Sequence, residues 1–94
     1  MADFTQLGLY LKNKRIEADF TQAELSNKLG DMHSQFISNW ERGLCAPPTH
    51  SFQKLIQVLR LDRARLTAVM LKDSKVIIEA KVYKTSARKF NRDV

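Results

Sequence analysis

Ninety-four residues make one domain, enough for a single core with a dependent appendage and too few for two independent cores. Hydrophobic residues at 44% and charged residues at 28% fit an ordinary globular chain. A net charge of +6 and a pI near 9.8 favour a polyanionic partner, nucleic acid ahead of an acidic membrane surface.

The charge excess is uneven. Residues 1–71 hold nine Lys/Arg against seven Asp/Glu, and residues 72–94 hold seven against three. No stretch nears the roughly 18 apolar residues of a membrane span, and no basic-then-apolar leader is visible. The single cysteine, Cys45, has no partner for an internal disulfide. A reducing, cytoplasmic setting is the expectation.

In chain order, Asp3 or Thr5 is expected to cap a first helix running to about Ala18. Leu7, Leu11 and Ile16 face inward, and Leu9 and Tyr10 widen that face. Lys12, Lys14 and Arg15 lie on or beside its polar side. Asp19 and Phe20 interrupt the pattern.

Thr21 opens the second helix. With Glu24 it forms a T-x-x-E capping box, and Phe20 with Leu25 matches the hydrophobic staple. Ala23 is small, as a close helix approach requires. Leu25 and Leu29 face the core, and Gly30 ends the helix in the left-handed region.

A third helix is predicted over residues 34–42, with Phe36, Ile37 and Trp40 as its apolar face. Ser34, Gln35, Ser38, Asn39 and Arg42 form its polar face, and Gly43 stops it. Pro47 and Pro48 stiffen the next loop. Thr49 is expected to cap a fourth helix over residues 50–60, with Phe52, Leu55, Ile56 and Leu59 as its stripe. Asp62 caps a fifth carrying Leu66, Val69 and Met70. Beyond Lys75 two periods compete. Val76, Ile78, Ala80 and Val82 alternate like a strand face, while Ile77 and Ala80 continue a helical stripe that Asp73 interrupts. Helix is preferred. Residues 85–94 read as a frayed basic tail.

The third helix has the properties of an element that enters a major groove about 12 Å wide. Gln35 and Asn39 are four apart and share one face, and each carboxamide can bond adenine N6 and N7 together. Ser34 and Ser38 reach bases or phosphates, and Arg42 is better placed for the backbone. Gln22 sits where a helix start grips a phosphate. Trp40 reads as core, and Glu41 as a structural partner and not a catalytic acid.

Here the chain resembles the Xre-type, or Cro/phage-repressor-type, helix-turn-helix proteins. The resemblance rests on L-G-L-Y-L-K at 7–12, F-T-Q-A-E-L at 20–25, K-L-G at 28–30 and F-I-S-N-W-E-R-G at 36–43. The prolines at 47–48 and the leucine-rich fourth and fifth helices follow the same pattern. It covers residues 4–71 and implies an all-α, five-helix lambda-repressor-like domain that binds operator DNA, usually as a homodimer. Gln22 matches the family's phosphate-contacting position, and Ser34, Gln35, Ser38 and Asn39 match its base-facing positions. Arg15 and Glu41 match a pair that forms an internal salt bridge in some members. The turn at 31–33 holds one residue more than the commonest form.

Domain limits are therefore expected at 1–71 for the DNA-binding domain and 72–94 for a basic extension. The extension's charges are a solvated surface or extra phosphate contacts. Its apolar residues Val76, Ile77, Ile78, Val82 and Tyr83 are buried against the body or, as preferred here, across a two-fold axis. Three functional classes remain open: a sequence-specific regulator, an antitoxin-like or adaptor protein docking through residues 75–90, and a weakly specific nucleoid-type protein. His33, His50 and Cys45 lack the spacing of a zinc site, and no catalytic arrangement or cofactor motif appears. No enzyme, metal or cofactor is expected.

Overall fold

Pairs of large apolar side chains three or four residues apart build the core. Leu7 and Leu11 come from the first helix, Leu25 and Leu29 from the second, Ile37 and Trp40 from the third and Leu55 and Leu59 from the fourth. Leu61 and Leu66 complete it. Each such pair stacks on one helical face. The computed structural model describes residues 2–83. In it α1 is Thr5–Glu17, α2 Gln22–Lys28, α3 Ser34–Glu41, α4 Thr49–Leu59 and α5 Arg63–Ile78, followed by a π-helical stretch, Glu79–Tyr83. The described residues hold no strand, so the fold is the expected all-α one. α1 packs on both α3 and α5, and α2 packs on α3.

Local signals set most helix ends. Thr21 accepts from the Glu24 amide at 3.0 Å while the Glu24 carboxylate accepts from the Thr21 amide at 2.8 Å, the reciprocal box that T-x-x-E predicts. Asp62 caps α5 by accepting from the Arg65 amide at 3.1 Å. Gly30, at φ +107°, ends α2, and Asp31 follows at φ +57°. Two successive left-handed residues absorb the longer turn before α3. His33 then caps α3, its Nδ1 accepting from the Gln35 amide at 3.0 Å.

Other ends depart from expectation. Neither Asp3 nor Thr5 caps α1: Phe4 holds the N-cap position without a side-chain bond. The cap comes from α5 instead. The buried Asp73 carboxylate accepts from the Gln6 and Leu7 amides, both at 2.9 Å. The residue that interrupts the helical stripe thus satisfies two orphan donors and faces the positive end of α1. Thr49 does not cap α4 either. It is the first helical residue, behind Pro48.

Packing corrects several face assignments. Ile16 and Leu9 are exposed, and Tyr10 instead accepts from the Asp62 amide at 3.1 Å through its hydroxyl. Ala23 is exposed, and the close approach falls at Gly8. A Cβ on Gly8 would lie 2.6 Å from the carbonyl oxygens of Trp40 and Glu41. Met70 is exposed, and Phe36 is 50% exposed and outside the core. α5 runs unbroken across residue 71. The helical alternative holds for residues 75–83, and Val76, Ile78, Val82 and Tyr83 are all exposed. Ile77 alone of that group is half-buried. The expectation for residues 85–94 lies outside the described residues.

Asp73→Ala should lower stability by about 2–3 kcal/mol, the worth of charge-assisted bonds to buried donors. Urea denaturation reads the loss. Hydrogen exchange at the Gln6 and Leu7 amides should quicken with it. Gly8→Ala should cost about 2 kcal/mol despite alanine's higher helix propensity, because both obstacles are backbone. Thermal melting should show a fall of roughly 8–16 °C.

Candidate functional site

Three helices meet at one carboxylate. Arg15, on α1, donates to Glu41 through Nε at 2.6 Å and Nη2 at 3.0 Å. Gln22, the first residue of α2, donates its Nε2 to the same carboxylate at 3.0 Å. The third arm of Arg15, Nη1, donates to the Phe20 carbonyl at 2.8 Å, which fixes the linker between α1 and α2. The side chains are nearly enclosed, at 11% exposure for Arg15 and 4% for Glu41. The hydrogen bond to Glu41, helped by its charge and opposed by burial, raises the Arg15 pKa above its ordinary value. Arg15 therefore stays charged wherever the protein is folded.

This knot fixes α3 from inside. Ile37, Trp40 and Glu41 are its buried residues. At 3.6 residues per turn, Gln35, Asn39 and Arg42 lie on the opposite side. Ser34 and Ser38 form one flank of that outer face, and Phe36 forms the other. Gln35 donates Nε2 to the Asn39 Oδ1 at 3.0 Å, so the two carboxamides form one unit. Gln35 Oε1 and the Asn39 amide hydrogens remain available, an acceptor beside donors. Arg42 is the C-cap of α3, and its side chain is exposed.

The structure therefore gathers Ser34, Gln35, Ser38, Asn39 and Arg42 on or beside one exposed helix face. Gln22 lies at the neighbouring start of α2, with its carboxamide turned to Glu41. Two participants had weak sequence signals. His33 caps α3 although histidine is not a favoured N-cap residue. Gln22 belongs to the Glu41 knot, a role that its place at a helix start does not announce. Among the described residues, no group of three His, Cys, Asp or Glu is placed to hold a metal ion, and no helix is long and apolar enough to cross a membrane.

A family model described as Helix-turn-helix matches residues 11–66, which takes in α2, α3 and the turn between them. No curated protein and no solved structure matches the chain.

Removing one partner of the knot leaves a buried charge alone. Glu41→Ala should cost about 3–5 kcal/mol in chemical denaturation. Replacing both members, as in Arg15→Met with Glu41→Leu, should recover most of that loss.

Proposed function

The chain belongs to the helix-turn-helix family of DNA-binding regulators, and from that premise we propose that it is a sequence-specific, double-stranded-DNA-binding transcriptional regulator acting as a homodimer in the cytoplasm. α3 enters the major groove. Gln35 and Asn39 bond base edges, with Ser34 and Ser38 beside them. Arg42 contacts a phosphate, and Gln22 contributes a phosphate contact from the first turn of α2 through its backbone N–H. The reading needs no catalysis and no cofactor.

One observation carries it. The Gln35–Asn39 carboxamide pair, joined at 3.0 Å, lies on the solvent side of a helix whose other side is anchored. Uncommitted carboxamide groups on a rigid, slender element match the donor and acceptor pattern of an adenine edge. The net charge of +6 supports the phosphate part of the reading.

Dimerisation is supported by the apolar side chains left exposed by the second half of α5, Leu71, Val76 and Ile78, and by the π-helical stretch after it, Val82 and Tyr83. Burial across a two-fold axis would cover them and space two α3 helices about one DNA turn apart. The same strip supports the alternative, an antitoxin-like or adaptor protein that docks a partner protein through residues 75–90. Light scattering of the protein alone separates the two: a dimer at micromolar concentration supports the regulator, and a monomer supports the docking reading.

Selection from a random duplex pool should enrich a pseudo-palindrome. Gln35→Ala should cost about 1–3 kcal/mol on that site and relax one or two base positions. Arg42→Ala should weaken enriched and random duplexes alike and reduce the salt slope by about one unit. Equal affinity of the parent protein for enriched and random duplexes would sink the sequence-specific reading.

A further inference from the structure

Phe36 is the misfit of α3. It is 50% exposed and is not among the buried side chains that form the core. It precedes Asn39 by three positions, so on the helix surface it neighbours one member of the joined carboxamide pair. The anchoring of α3 is complete without it, through Ile37, Trp40 and Glu41.

We propose that Phe36 is a specificity-determining residue that packs on the 5-methyl group of a thymine in the major groove. The inference rests on the reading of α3 as the groove helix. A phenyl ring has no donor or acceptor, so it reads neither the polar edges of bases nor phosphate oxygens. The one apolar group that the major-groove edge of a base pair displays is the thymine methyl, and aromatic side chains are among those that contact it. Because Phe36 neighbours Asn39 on the helix surface, that thymine lies within about one base pair of the position the carboxamide pair reads. Phe36 thus adds a methyl requirement to the hydrogen-bond pattern, and the helix distinguishes thymine from cytosine by shape as well as by polarity.

The experiment uses the full chain and the site that selection enriches. Each thymine of that site is replaced in turn by uracil, which deletes the methyl and preserves pairing. Binding is measured at fixed salt for the parent protein, Phe36→Ala and Phe36→Leu. The parent should lose about fourfold in affinity at one or two positions, the effect of one buried methyl. Phe36→Ala should lose that sensitivity at the same positions, keep the base preference due to Gln35, and melt at nearly the parent temperature. Phe36→Leu should retain part of it. Equal uracil sensitivity in parent and Phe36→Ala, or none in the parent, overturns the inference while leaving the DNA reading intact. A Phe36→Ala protein that fails to fold, or that loses only self-association, overturns it too. An unenriched pool removes the DNA reading first.

Discussion

The Glu41 carboxylate is the constraint on which the other geometry depends. It takes three hydrogen bonds, from two nitrogens of Arg15 and one of Gln22, and it is almost fully enclosed. An enclosed carboxylate without partners would carry a large desolvation penalty, so α1, α2 and α3 are held to the arrangement that satisfies it. The knot lies at the end of α3, on the side away from solvent. The orientation of the opposite face, with Gln35 and Asn39, follows from it.

Gly8 and Asp73 show how α1 serves as the strut for the whole domain. Gly8 lets α1 press against the last carbonyls of α3, where any side chain would collide. Asp73 reaches from α5 to the first amides of α1 and replaces the missing local cap. One helix is thus bonded to α3 near its end by Arg15 and to α5 at its start by two amides. Beyond that anchor Val76 and Ile78 stand exposed, while Lys81 bonds back to Asp3 at 3.4 Å.

Much of the fold was readable because its signals are local. The Thr21–Glu24 box, the Asp62 cap, the Gly30 stop and the leucine pairs each involve residues within four positions, the range over which a helix correlates its side chains. The outer face of α3 was readable for the same reason, since Gln35 and Asn39 are four apart and Ile37 and Trp40 face the other way. The sequence does not show that Phe36 lies outside the core, because a helix of two turns gives its apolar arc no sharp edge. Its neighbour Ile37 is fully buried, one step round the helix. The exposure of Ile16 and Leu9 is not legible either, because a hydrophobic side chain reports what it would prefer, not whether a neighbour arrives to cover it.

The sequence by itself determined the five α-helices, most of their ends, and which polar residues share the exposed face of α3. These follow from spacing along the chain and from the conformations that Gly, Pro, Thr and Asp favour locally. Tertiary structure decided what required distant partners. It made Asp73 a cap for a helix that begins nearly seventy residues earlier, drew Gln22 into the Glu41 knot, and left Phe36 outside the core. Each of these rests on which groups meet across space, and helical periodicity carries no information about that.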